Sequence, residues 1–384
     1  MKDQINHAME KAVSDGVFPA ADLLVAKQGE VLHNKQYGDA RAGTCFDIAS
    51  LTKPVCTATI VMMLVEEGLL KVSDTVYQWL GGARLPEHRL MMVEQLLNHT
   101  SGLPAWQPYY RELPLDLVGT EGGRRFIRDA CFHELPIDNP GEKMLYSDIG
   151  YILLGEIVEQ AGGATLDILF SNRIAKPLGL QDTFFLRAVG APISMTARHG
   201  FTSADQHVPT PKYGRPEDRA ARKDNERRRF APTEDCPWRE RVIHGEVHDQ
   251  NAYALGGVAG HAGLFSTAQD LYRFVLELTN CYKGKSDWIP QNTMHQFFNF
   301  ENCRGQGIFI GGWDTPSSRN SASGRYFSKH SIGHLAYTGC SIWIDLEKDF
   351  SIVLLTNRIH PSTTNEKIKA FRPQIHDLIY KAIF

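Results

Sequence analysis

Long apolar runs, paired cysteines and a surplus of positive charge are all missing from this chain of 384 residues. No uninterrupted apolar run approaches the roughly 20 residues needed to cross a bilayer, which predicts no membrane span. Seven cysteines, an odd number without a CxxC pair, exclude a disulfide framework and a cysteine zinc site. They read as small core residues, Cys56 in PVCTATIVMMLV among them. Lys and Arg total 41 against 44 Asp and Glu, so the net charge of −3 supplies no attraction for nucleic acid. The N-terminus lacks the apolar core of a signal peptide, and Ile5, Met9, Ala12 and Val13 recur at helical spacing instead. That points to the cytoplasm; a periplasmic place would require the chain to be a processed form.

What is present is enough sequence for two lobes. ADLLVAKQGEVLHNKQYG reads as a hairpin turning at Gln28-Gly29. FDIAS then leads into LTKPVCTATIVMMLVEEGLL, helical by length and spacing, with Pro54 near its start, where a missing N–H costs little. The middle of the chain is mainly helical. YSDIGYILLGEIVEQAGG is its clearest helix, stopped at Gly162-Gly163, and AGLFSTAQDLYRFVLELTN is another, capped by Ser266 or Thr267. HLAYTGCSIWIDLEKDFSIVLLTNR reads as two strands joined at Glu347-Lys348-Asp349, and the last residues as an amphipathic helix. The expected class is α/β (α+β): a mainly antiparallel sheet built from both chain ends, flanked by helices. The sheet domain takes residues 1–78 and 262–384; an inserted, mainly helical domain takes 79–261, with a cleft at the junction. Within it, the charged, proline-rich stretch at about 203–245 reads as an exposed, mobile insertion.

Three short motifs carry chemistry. Ser50-Leu51-Thr52-Lys53 places a hydroxyl and an amine one helical turn apart. A serine needs a neighbouring base, and an exposed lysine, with pKa about 10.4, cannot be one. Burial in the apolar run that follows can lower it, a drop of about three units costing roughly 4 kcal/mol. By residue usage about one or two S-x-x-K matches occur by chance in such a chain. Taken alone, the motif reads equally well as an N-cap serine before a solvated lysine. Tyr146-Ser147-Asp148 opens a helix, and a tyrosine beside lysine cations can become phenolate-like and act as general base. Gly333-His334-Leu335-Ala336-Tyr337-Thr338-Gly339 brings small residues to a strand, where backbone N–H groups can approach a ligand.

The order and context of these motifs distinguish them. With FDIASLTKP, LLNHTSGLP, MLYSDIGYILLGEIVE, GGVAGHAGLFSTAQDL and HLAYTGCSIWIDLEKDFSIVLLTNRIHP, the chain resembles the serine β-lactamase-like and penicillin-binding-protein hydrolases. It is nearest the class C β-lactamase, D-alanyl carboxypeptidase and related esterase branch. The resemblance covers nearly the whole chain and implies the β-lactamase/transpeptidase-like fold. It implies that Ser50 becomes acylated, that Lys53 and Tyr146 share the proton transfers, and that the Ser50 and Tyr337 backbone N–H groups form the oxyanion hole.

Two departures bear on substrate. Where antibiotic-hydrolysing members carry Tyr-x-Asn, this chain ends the motif in Asp148, which only accepts hydrogen bonds when ionised. Paired with Lys53, Asp148 would raise the lysine's pKa, making Tyr146 the stronger base and Lys53 its electrostatic partner. Where β-lactamases carry Lys-Thr-Gly, this chain has His334-Leu335-Ala336, and His334 is a cation only part of the time near pH 7. Asn357 or Arg358 would have to restore carboxylate recognition. Asp148, His334, Ala336, Asn357 and Arg358 are therefore the candidate substrate-binding residues. Spacing among His244, His248, Asp249 and His261 matches no zinc pattern, so no metal and no cofactor are expected; these residues read as structuring loops near the cleft. The expected partner is a small-molecule acyl substrate, and a carboxylic-ester hydrolase ranks first. A D-amino-acid peptidase, amidase or β-lactamase, an acyltransferase, and a non-catalytic acyl-ligand sensor are the alternatives.

Overall fold

The computed structural model describes residues 2–81, 89–188, 228–302 and 307–384. Its main sheet draws on both ends of the chain. After helix α1 (Lys2–Ser14), strands β1 (Ala20–Lys27) and β2 (Glu30–Gly38) form a hairpin. Gln28 and Gly29, at φ 53° and 81°, supply the left-handed pair that a two-residue hairpin turn requires. β1 pairs on its other side with β13 (Phe350–Thr356), which continues through β12 (Ser341–Asp345), β11 (Ser331–Leu335), β10 (Trp313–Asp314) and β9 (Phe309–Ile310). All neighbours in this seven-stranded sheet are antiparallel.

Both faces of the central strands are buried, and the alternation of the pleat decides what covers each. Leu23 and Val25 of β1, with Ile352 and Leu354 of β13, pack with Ile5 and Met9 of α1 and Ile375 and Ile379 of helix α6 (Ile368–Ile383). Leu24 and Ala26, with Val353 and Leu355, face the opposite way. There they meet the core shared by helix α2 (Ala49–Glu66) and helix α5 (Ala268–Tyr282). Each such aliphatic side chain contributes about 1.5–3 kcal/mol. α2 is long and apolar enough, by length and composition, to cross a membrane, contrary to the expectation from the sequence; 83% of it is buried inside the fold, as in a core helix. Thr52, Lys53, Thr57 and Thr59, all buried, break up its apolar run and conceal its length.

The middle of the chain contributes helix α3 (Glu121–Phe132) and helix α4 (Asp148–Gly162), which ends at Gly163 in the left-handed conformation. It also supplies two strands of a second sheet. There β4 (Phe184–Phe185), β8 (Leu264–Ser266), β3 (Thr44–Asp47) and β5 (Arg229–Phe230) lie side by side. One buried cluster runs from Leu24 and Phe46 through Leu97, Ile127 and Ile152 to Val353, so the boundaries at 78/79 and 261/262 do not separate two cores.

The charged insertion needs a correction. Its part from 203 to 227 lies outside the described residues, but 228–245 is not an exposed loop. β5 joins β3 in parallel, and β6 (Asp235–Cys236) forms a hairpin with β7 (Arg241–Val242). Phe230, Ala231, Thr233, Cys236 and Ile243 are buried. These few inward residues, scattered among charges, outweigh the composition around them. The six described cysteines are free and buried.

Asp314 on β10 gives a stability test. Burial raises its carboxyl pKa from 3.8 to about 7, against one hydrogen bond from the Thr315 N–H. The folded state therefore holds this proton more tightly than the unfolded state. Stability from this group is full below about pH 4 and falls, by up to about 4 kcal/mol, as pH rises to about 7. Asp314→Asn is expected to raise the melting temperature at about pH 8 and hardly at all at about pH 4. Equal shifts at the two pH values would contradict this.

Candidate active site

The turn that presents Ser50 is built around a buried carboxylate. Asp47, the last residue of β3, accepts the Ala49 N–H at 2.8 Å on one oxygen and the His248 N–H at 2.6 Å on the other. Ala49 is thereby held at φ 45°, an unusual conformation for a residue with a side chain, directly before the serine. The Thr52 hydroxyl donates to the Ala49 carbonyl at 2.6 Å and accepts the Leu264 N–H at 3.2 Å, fixing the turn to β8. Ser50 thus stands in the first turn of α2, where backbone N–H groups have no partner within the helix.

Lys53 lies one turn further on and is fully buried. Its ammonium donates to Ser50 Oγ at 3.1 Å, to Asp148 Oδ1 at 2.6 Å and to the His261 carbonyl at 3.1 Å. All three protons are used. Burial alone pushes the lysine pKa down, but the Asp148 carboxylate and then Tyr146 together raise it above the usual value. The expectation that burial frees Lys53 as a base is thus reversed: at rest it is a cation. Tyr146 faces both Lys53 and Ser50, with Lys53 Nζ 4.8 Å from its ring centre. Burial raises the phenol pKa by more than Lys53 lowers it, and Asp148 adds to the rise. Tyr146 therefore keeps its proton at rest and is not phenolate-like, chiefly because burial disfavours the phenolate and Asp148 opposes the lysine's pull.

Asp148 reaches Lys53 from the first turn of α4. Ser147 caps that helix, accepting the Gly150 N–H at 3.1 Å and donating to the Pro104 carbonyl at 2.6 Å. The His261 carbonyl is brought in by a backbone contact. A Cβ added to Gly155 on α4 would stand 2.9 Å from the Gly260 backbone, so neither position admits a side chain. His261 in turn pairs through Nε2 with Asp249 at 2.9 Å, and Asp249 caps the next short helix through the Ala252 N–H.

β11 packs on the first turn of α2 and leads into the turn that carries Tyr337. The Thr338 hydroxyl donates to the Asp47 carbonyl at 2.8 Å, tying this turn to the strand that leads into Ser50. Tyr337 is half exposed, stacks on the His248 ring at 5.6 Å and has the Arg358 guanidinium 4.8 Å from its ring centre. His248 is held by Glu234 at 3.0 Å.

The remaining expected substrate contacts look different in the structure. His334 is sealed in the protein, its ring 5.9 Å from Tyr146 and 5.7 Å from Phe309. Burial first and Lys53 second push its pKa down to about 3, and its Nδ1–H donates to the Leu335 carbonyl at 2.8 Å. It is a neutral imidazole, not a part-time cation. The Ala336 side chain is buried and its N–H is spent on the Cys340 carbonyl. Asn357 accepts the Ala20 N–H and donates to the Pro232 carbonyl, so its amide is used inside the fold. Arg358 donates to the Tyr337, Thr363 and Asn365 carbonyls and braces the turn. Among the described residues, no group of three or more His, Cys, Asp or Glu could hold a metal ion. His244 bonds the Phe230 carbonyl, and His248, Asp249 and His261 form the loop contacts above.

Four supporting residues escaped the sequence reading: Asp47, Glu234, Gly155 and His99. The lone acid in the apolar stretch FDIAS was the available signal for Asp47, since a buried carboxylate must have partners.

Asp148→Asn provides a pH test. The carboxylate raises the pKa of both Lys53 and Tyr146. Its removal lowers both, so the rising limb of kcat/KM against pH is expected to move to lower pH, whichever of the two accepts the proton. An unmoved or upward-shifted limb would show that neither group titrates in that limb.

A family model described as Beta-lactamase matches residues 5–374 of the chain. N-acetylmuramyl-L-alanine amidase of Bacillus subtilis (strain 168) is 28% identical over 382 residues, covering 93% of this chain and 81% of the relative. Two solved structures share the fold. The octameric penicillin-binding protein homologue from Pyrococcus abyssi superposes with a TM-score of 0.71 at 18% identity, over 99% of this chain and 77% of its own. EstCE1, a hydrolase with promiscuous acyltransferase activity, does so with a TM-score of 0.69 at 21% identity, over 99% and 98%.

Proposed function

The chain belongs to the β-lactamase family, and from that premise we propose that it is a serine hydrolase working through an acyl-enzyme on Ser50, with carboxylic esters of small molecules as its preferred substrates. The observation that carries this reading is the hydrogen bond from the buried Lys53 to Ser50 Oγ. In the proposed reaction Ser50 Oγ attacks the acyl carbonyl, and its proton leaves through the Lys53–Tyr146 pair. Either member can accept that proton only after giving up its own, so activity rises with pH. The Ser50 and Tyr337 N–H groups receive the developing oxyanion. The proton returns to the leaving alcohol, and water then releases the acyl group.

The ester preference rests on a missing cation. A neutral, sealed His334 supplies no cation for a β-lactam or peptide carboxylate, and Asp148 would repel one. Losing that contact, at about 1–3 kcal/mol, weakens binding of those substrates by roughly one to two orders of magnitude. A second reading, an amidase or peptidase on cell-wall fragments, is favoured by the name of the Bacillus relative.

The test offers the protein a short-chain nitrophenyl ester, a penicillin and a D-alanyl peptide, and measures turnover and the mass of the Ser50 peptide. Ester turnover with an acylated Ser50 is expected. Release of D-alanine without ester turnover would replace the esterase by the peptidase. Faster transfer to an added alcohol than to water would make it an acyltransferase. No adduct with any of these or with a fluorophosphonate would overturn the nucleophile and leave an acyl-ligand sensor.

A further inference from the structure

His99 in the phrase LLNHTSGLP has no part in the chemistry above, yet it touches the chain on both sides of Tyr146. Its carbonyl accepts the Leu145 N–H at 2.8 Å, and its Nδ1 accepts the Ser147 N–H at 3.0 Å. Its ring lies against the Tyr146 ring, with centres 4.4 Å apart, and meets Phe309 edge to face at 4.6 Å. The backbone that allows all three contacts is unusual: His99 sits at φ 58°.

We propose that His99 is a positioning residue for Tyr146, bracketing it through the N–H groups of the residues on either side and so setting where the phenol stands relative to Ser50 and Lys53. The inference rests on the proposed role of Tyr146 in proton transfer. Because a backbone N–H can only donate, Nδ1 must be bare, and the ring is the neutral Nε2–H tautomer. Burial, then Lys53 and His334, hold its pKa well below the usual histidine value, which keeps that acceptor available. Asparagine can take over the same task. Its amide oxygen sits near the place of Nδ1, and it enters the left-handed region more readily than most residues. Leucine and phenylalanine cannot, and they leave the Ser147 N–H buried without a partner.

Steady-state kinetics with the best substrate test this. His99→Leu is expected to lower kcat about 30- to 100-fold with KM changed less than about threefold, as for a misplaced catalytic group. His99→Asn should stay within about fivefold of the parent. Should the leucine variant not fold, His99→Phe keeps the ring, lacks the acceptor and carries the same expectation. The deciding measurement is the double variant: added to Tyr146→Phe, the His99 change should cost less than about twofold further, since the group it positions is gone. Equal losses in His99→Asn and His99→Leu, or an undiminished loss in the Tyr146→Phe background, would overturn the proposal while leaving the acyl-serine reading intact. A Tyr146→Phe variant as fast as the parent would overturn both this proposal and the role assigned to Tyr146.

Discussion

Ser50→Ala is expected to abolish acylation and lower turnover by roughly 10⁴- to 10⁶-fold, with no matching loss of stability. Ser50 Oγ accepts a hydrogen bond from Lys53 and lies in the first turn of α2, against which β11 packs. Removing a single oxygen from this partly exposed side chain leaves Lys53 still bonded to Asp148 and the His261 carbonyl. The change in folding free energy should stay within about 1 kcal/mol, the net worth of one hydrogen bond. Intact-mass measurement after incubation with an ester or a fluorophosphonate checks the acylation, and thermal unfolding checks the fold. An alanine variant that still turns over ester at the parent rate would show that some other group is the nucleophile.

The second large effect is expected at Lys53. Lys53→Met should cut the acylation rate by about 10³-fold, within the range for losing a group that moves a proton. Methionine fills the same sealed space, but removing one partner of a buried ion pair costs up to about 3–5 kcal/mol when the other charge stays buried. Asp148, left without its partner, retains some access to water, which limits the cost of its charge. The expected signature is therefore slow acylation in a protein that still folds but melts below the parent temperature. Pre-steady-state measurement of the acylation step separates this from a change in deacylation. Unchanged acylation would remove Lys53 from the proton path and leave Tyr146 alone in it.

Much of this architecture is legible in the sequence alone. The Gln28-Gly29 hairpin, the Gly162-Gly163 stop of α4, the Thr267 cap and the strands on either side of Glu347-Lys348-Asp349 all follow from local chemistry, and the structure has each in place. These features depend on residues close in sequence, which is why they could be read. The protonation of the site could not be. It depends on Asp148 being 2.6 Å from a lysine 95 residues earlier, and on whether that attraction exceeds the cost of burial. His334 shows the same limit. Its residue type suggests a charge near neutral pH, whereas the packing of Tyr146 and Phe309 around it removes that charge. The 228–245 stretch failed for another reason: average composition conceals a handful of inward-facing residues.

The place of β13 between β1 and β12 has a consequence for biosynthesis. Ala26 aligns with Ser351, so the N-terminal hairpin can enter the sheet only after most of the chain has been translated. Closing a loop of that length costs on the order of 5 kcal/mol of chain entropy before any contact repays it. During translation the hairpin and α2 thus present apolar faces with nothing to cover them, a species open to aggregation and to chaperones. Folding should be slow and all but simultaneous for the sheet and the Ser50 turn, since Thr338 and Asp47 meet only when β11 and β12 arrive. A ribosome stalled before codon 350 would therefore hold a chain that contains every residue of the proposed catalytic machinery and has no activity.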